Sequence, residues 1–263
     1  MLRSRLVAVL LALALSLGSS GDAAAQESRA ESPFATAVRR GTRTLTGRPG
    51  PGYWQQWATY HIVARLDAGD RTIDGEESVR YYNHSPDTLR QLAVHLYQNL
   101  HTSSGAYLTR YSVTGGVNLR RVAVAGVALP EDRSTNHPGY QVAGTVAWLR
   151  LPSPLAPRDS VDLSFEWRFQ LPEVAPRMGT DGEVYMVGYW YPQVAVYDDV
   201  NGWQTDRYTG RGEFYMGYAD YDVTVDVPEG WLVGATGELA NPGDVLTDSV
   251  ALLGPQRVLR RYA

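Results

Sequence analysis

The chain has 263 residues, 24 basic and 28 acidic side chains, five histidines and no cysteine, for a formal net charge of −4. The lack of cysteine excludes disulfides, thiolate metal ligands, a cysteine nucleophile and attachment of a lipid through sulfur. Every basic residue is arginine and none forms a basic block, so no nucleic-acid partner is expected, and the small negative charge names no other partner.

Residues 1–25 read as a signal peptide. Arg3 and Arg5 form a positive end, Leu6 to Leu17 is an apolar run of 12 residues, and Ala23 to Ala25 resembles a cleavage site before Gln26. The run is shorter than the roughly 20 residues that span a bilayer. The expected location is therefore periplasmic or secreted, with no membrane association after cleavage. Residues 26–52 are rich in Ser, Arg, Thr, Gly and Pro, end in the Gly47–Gly52 cluster, and read as a linker or poorly ordered segment.

From Tyr53 the period is two. Tyr60, Ile62, Ala64 and Leu66 alternate with polar residues, and so do Val161, Leu163, Phe165, Trp167 and Phe169, which is the pattern of a half-buried strand. Tyr221, Val223, Val225 and Val227 repeat it. Shorter strand-like runs are Ser78–Asn83, Leu89–Tyr97, Arg121–Val127, Thr145–Leu151, Val184–Tyr191 and Trp231–Ala235. Turn residues separate them at Ala68–Asp70, Ser85–Asp87, Pro228–Gly230 and Asn241–Gly243, whereas Asp74-Gly75 falls inside a run and reads as a bulge. No 12-residue window after the signal peptide has helical periodicity. The expected fold is all-β, a large antiparallel β-sandwich or saddle over 53–263. The final run Val258–Ala263 reads as a strand in progress, which predicts that the sequence stops inside its domain.

Chemistry-bearing clusters are sparse. None of His61, His84, His95, His101 and His137 opens an H-E-x-x-H, the two ligands and base of a helical zinc site. Asp198, Asp199 and Asp206 could gather calcium, but no D-x-D-x-D-G loop is present and a solvated loop is the better reading. Asp220, Asp222 and Asp226 share one strand face, by default a solvent-facing row. Gly234–Gly237 follows a strand without the helix a phosphate loop needs. No G-x-S-x-G occurs, and His95 reads as a core or rim histidine. A paired-carboxylate site stays open, since carboxylate spacing is a three-dimensional fact. Tyr185, Tyr189, Trp190, Tyr191, Tyr197 and Trp203 crowd one stretch. A flat exposed row of such rings would favour sugar binding, and a compact patch would favour packing or docking.

The stretch Trp190 to Trp203, followed by Gly212 to Pro228, resembles the end of the N-terminal domain of aminopeptidase N-like zinc metallopeptidases, the gluzincins. Tyr60–Asp67, Asn83–Pro86 and Leu92–Tyr97 are similar to that domain's opening strands, so the resemblance covers roughly 53–240. It implies a scaffold and substrate-lip domain that is catalytically silent alone. Its partners would be a helical catalytic domain, absent from this sequence, and a peptide substrate. Zinc would be the cofactor of the full-length parent, with no cofactor in this chain. By the same resemblance Gln193 lines the mouth of the active site. The family's Glu or Gln two residues on, which accepts hydrogen bonds from the substrate's α-amine, is replaced by Ala195, whose side chain cannot accept one. The resemblance assigns no catalytic or metal residue here. The alternative is a standalone secreted β-sandwich that binds carbohydrate or protein.

Overall fold

A computed structural model describes residues 31–104, 111–133, 136–175, 177–212 and 214–246. The signal-peptide reading of 1–25 and the unfinished strand at Val258–Ala263 both lie outside the described residues. Residues up to Gly52 and those from Tyr53 onward form two compact units.

In the first unit the stretch read as a linker carries a seven-residue helix, α1 (Pro33–Arg39). Ser32 caps it, its Oγ accepting from the Ala35 N–H at 3.2 Å, and Pro33 occupies the first turn, where no N–H is needed. Arg39 in the last turn reaches back to Glu31 at 2.8 Å. Seven residues are too few to show a helical period, which is why the pattern of this stretch carries no helix signal. The chain then folds back on itself, with Gly50 N–H donating to Thr42 C=O. A Cβ on Gly50 would lie 2.3 Å from Gly41 O, so only glycine fits there.

The second unit is built from strands. The large sheet contains β1 (Trp57–Asp67), β2 (Thr72–Tyr82), β4 (Asn118–Val124), β5 (Val127–Ala128), β8 (Ser160–Gln170) and β15 (Tyr218–Asp226), in the order β15-β1-β2-β8-β4-β5. The smaller sheet contains β3 (Leu89–His95), β6 (Gly139–Ala143), β7 (Val146–Leu155) and β12 (Gln193–Val194), in the order β12-β3-β7-β6. Three short strands, β9 (Val174–Ala175), β10 (Met178–Asp181) and β11 (Val184–Val187), form a separate ribbon. β13 (Tyr197–Asp198) and β14 (Gly202–Trp203) form a tight pair, and α2 (Pro242–Val245) is a single turn. All pairings are antiparallel except β1 with β15, which run parallel from Trp57↔Tyr218 to Arg65↔Asp226.

The two main sheets enclose one core. Tyr60, Ile62, Val79, Leu163, Phe165 and Trp167 from the large sheet share a cluster with Leu92, Val94, Ala147, Leu149 and Val194 from the small one. Each large side chain removed from water there contributes about 1.5–3 kcal/mol. The alternation that identified β1 and β8 in the sequence is this inward set.

Several expectations need correction. The Asp74-Gly75 pair makes no bulge, because β2 passes through it in register with both β1 and β8. The register shifts fall at Leu89/Gln91 and Leu119/Arg121. The Val184–Tyr191 run is a strand only to Val187, and Trp231–Ala235 is not a strand. Asn83, fully buried, ties the sheets together: its Nδ2 donates to the carbonyls of Asp87 and Ala156, and its Oδ1 accepts from Gln56, Ser85 N–H and Ser85 Oγ.

Candidate functional site

Gln193 lies on β12 rather than on an open loop, and its side chain is buried. Its register partner is His95, at the end of β3. Because strands alternate, Val194 and Val94 point into the main core. Ala195 and Ala93 lie in a second cluster with Val146, Trp148 and Trp203, on the outer face of the small sheet. Gln193 and His95 share the parity of that outer face. A hydrogen bond from Ala195 N–H to Ala93 C=O extends the pairing past β12.

His95 stacks on Tyr97, with centroids 4.9 Å apart and planes 9° apart. Burial pushes its imidazole below the ordinary value, against a hydrogen bond with the Gln204 backbone and the charge of Asp206, which pull it up. The ring is therefore held neutral at physiological pH. Tyr97 opens a 3-10 turn, Tyr97–His101, and its ring meets Tyr189, Tyr208 and Phe214 edge-on at 5.6, 5.7 and 4.8 Å. Gln98 donates from Nε2 to Tyr189 C=O at 2.9 Å. Two buried polar atoms at this place, His95 Nδ1 and Gln98 Oε1, have no protein partner among the described residues.

The backbone is strained at the same place. Tyr189 has φ 52° and Arg177 φ 64°, a left-handed conformation that costs side-chain-bearing residues of order 1–3 kcal/mol each. Gly188 N–H donates to Arg177 C=O at 3.0 Å, and the Arg177 guanidinium lies over the rings of Tyr189 and Phe214, at 5.6 and 5.2 Å. The result is an aromatic wall with amide and imidazole groups beside it. Such a wall can position a ligand, but it offers no nucleophile paired with a base.

The other candidates disperse. His61 lies on the outer face of the large sheet, 3.7 Å from Asp222, while His84 and His137 are exposed. His101 is buried, with Nδ1 3.0 Å from Ser112 C=O. Asp198 Oδ1 accepts from the N–H groups of Val200 and Asn201, and its Oδ2 accepts from Gln204 Nε2, so it shapes the β13–β14 turn. Among the described residues no three His, Asp or Glu side chains lie together as metal ligands. Asp220, Asp222 and Asp226 do face outward, and each has a neighbour: Asp220 accepts from Trp57 Nε1, Asp222 faces His61, and Asp226 pairs with Arg65 at 2.8 Å.

No family model and no curated protein matches the chain. Solved structures similar to it include zinc peptidases. One is a mutant M1 zinc metallopeptidase from Deinococcus radiodurans, 11% identical, with a TM-score of 0.38, covering 73% of this chain and 38% of that one. Another is the M1 zinc metallopeptidase from the same organism, 13% identical at a TM-score of 0.35, covering 69% of this chain and 34% of that one. A two-domain M1 zinc metallopeptidase mutant bound to L-tryptophan is 12% identical at a TM-score of 0.37, with 73% and 39% covered. The chain thus spans less than two-fifths of the length of these structures.

The six crowded aromatics form no flat exposed row. All are half-buried and packed on one another or on neighbours, as in Trp190–Tyr191 at 5.3 Å, Tyr197–Trp203 at 5.0 Å and Tyr185–Trp231 at 5.0 Å. A row of rings exists elsewhere. Tyr218, Trp57 and Tyr82 are direct neighbours across β15, β1 and β2 on the outer face, and the planes of Trp57 and Tyr218 lie within 9°. Tyr97, Phe214 and Arg177 carried no distinguishing sequence signal, because what joins them to Tyr189 is tertiary contact.

Proposed function

We propose that this chain is the N-terminal β domain of a secreted, zinc-dependent aminopeptidase-like metallopeptidase, acting as scaffold and as one lip of a peptide cleft. The observation that carries this reading is Gln193. The residue singled out by motif resemblance is paired in register with His95, beside the strained Tyr189 and its aromatic wall. Strain kept next to a neutral histidine and buried amides is a pattern of binding sites. Zinc, water activation and the general base belong to a catalytic domain outside this sequence, and no step runs through the residues here. Ala195 is buried against Ala93 and Val146, so the chain itself offers no carboxylate at that position for an N-terminal ammonium. Amine recognition in the parent therefore rests on other groups.

The test is Gln193→Ala in the product of the complete reading frame. A lip residue predicts a raised KM for L-aminoacyl-4-nitroanilides with kcat little changed, the signature of lost ground-state binding. An unchanged KM in a folded variant counts against the reading.

One observation favours a second reading, carbohydrate binding. The row Tyr218–Trp57–Tyr82 presents rings from three adjacent strands, with the Trp57 and Tyr218 centroids 6.4 Å apart, and Tyr218 is 65% exposed. Asp220, which holds the Trp57 indole N–H, adds a polar edge. Glycan-array binding that is abolished by Trp57→Ala would favour this reading, and a blank array would remove it.

A further inference from the structure

Glu77 sits in the middle of β2 with its side chain on the core face. Its register partners are Ile62 on β1 and Phe165 on β8, both buried. The residue is 4% exposed, and neither carboxyl oxygen has a protein partner among the described residues. The titratable groups coupled to it are tyrosines, Tyr60 from β1 and Tyr191 from the segment leading to β12, and Tyr221 from β15 packs on both of these. From β8 the apolar Leu163, Phe165 and Phe169 and the Trp167 ring share its face. Burial alone acts on the carboxyl and raises it well above its ordinary 4.5, with no cation to oppose it.

The tyrosines around Glu77 are also what holds the candidate site to the large sheet. Tyr60 accepts, at its hydroxyl, a hydrogen bond from the Val194 N–H at 3.0 Å, a direct link from β1 across the sandwich to β12. The Tyr60 ring stacks on Tyr221 at 4.9 Å and meets Tyr191 edge-on at 5.6 Å, while the Tyr191 O–H donates to the Tyr221 hydroxyl at 3.0 Å. A negative charge on Glu77 would be buried beside this cluster with no hydrogen-bond partner among the described residues and no cation to offset its lost hydration.

We propose that Glu77 is a pH-sensitive latch: uncharged, it lets the Tyr60–Tyr191–Tyr221 cluster pin β12 across the sandwich, and ionised, it loosens β12 and the segment that carries Gln193. The inference is independent of the peptidase reading, since it concerns only how β12 is held.

The direction follows from linkage. The folded chain keeps the Glu77 proton to a higher pH than the unfolded chain does. The stability this contributes is complete below 4.5 and is lost as pH rises from there through the folded value. One proton released in the open state makes that loss up to about tenfold per pH unit.

The experiment is native-state hydrogen exchange on the full chain, reading the protection factor of the Val194 amide from about pH 5 to about pH 9. Protection at Val194 should fall with pH in the wild type and stay level in Glu77→Gln, which keeps every tyrosine but cannot ionise. Glu77→Leu should also be level, and it serves if the glutamine variant does not fold. A fall of equal slope in either folded variant, or a level wild type, overturns the latch. Leu163 on β8, which opens only with the whole core, should be better protected than Val194 at every pH, and equal protection at the two amides overturns the latch, because that marks global unfolding rather than release of β12. Infrared spectroscopy gives an independent reading. A protonated-carboxyl band at neutral pH that is lost in the variants supports the latch, and its absence from the wild type contradicts it.

Discussion

At Gly75 the structure gives a reason for a residue that the sequence could only mark as irregular. The Trp167 indole lies across it, and a Cβ there would be 2.0 Å from Cζ2 of that ring. The glycine makes room for the largest fully buried side chain of the core, with no turn or bulge involved. Gly75→Ala must displace a packed indole, so it should cost about 1–3 kcal/mol, read as a lower urea midpoint with an unchanged m-value. Asn83 is a second single-residue anchor. Asn83→Ala removes the buried amide that bonds Asp87 C=O, Ala156 C=O, Gln56 and Ser85 together and should cost at least about 2 kcal/mol, again by urea unfolding. Glu77 explains why the start of β2 was not legible. A strand is recognised by polar residues facing water, and here a glutamate occupies a core position, so the alternation seemed to begin only at Ser78.

At the scale of elements, β1 and β8 were readable because one face of each is buried and the other is polar over 11 residues. β12 was not, because two residues carry no period and its place depends on pairing with β3. The same holds for the parallel register of β15 on β1. The alternation of β15 predicts a strand but not its neighbour, and about 150 residues separate the two in sequence. The resemblance gave Gln193 its candidate role, yet strand, burial and partner come from the fold. The link from β12 to the large sheet yields an element-level prediction. Tyr60→Phe removes the acceptor of the Val194 N–H and should lower stability by about 1 kcal/mol, with the largest loss of exchange protection at Val194 rather than in β8. Ala195→Glu tests the outer face in the opposite sense. A carboxylate placed among Ala93, Val146 and Trp203 lacks a cation and should destabilise the chain more at neutral than at acid pH, which thermal unfolding at two pH values would measure.

At the scale of the whole molecule, a two-sheet core carries a cluster of aromatic, amide and imidazole groups around Gln193 and His95. The aromatic wall, His95 and Gln193 can hold a ligand, and among the described residues no three His, Asp or Glu side chains lie together as metal ligands. The proposed role, one lip of a peptide cleft completed by a separate catalytic domain, is the central claim. The most direct measurement expresses the reading frame to its natural stop codon and assays it beside the 263-residue chain. The readout is hydrolysis of L-aminoacyl-4-nitroanilides before and after zinc chelation. The account predicts chelator-sensitive turnover from the complete product and none from the 263-residue chain. Turnover by the chain alone, or a complete product without metallopeptidase activity, would contradict it.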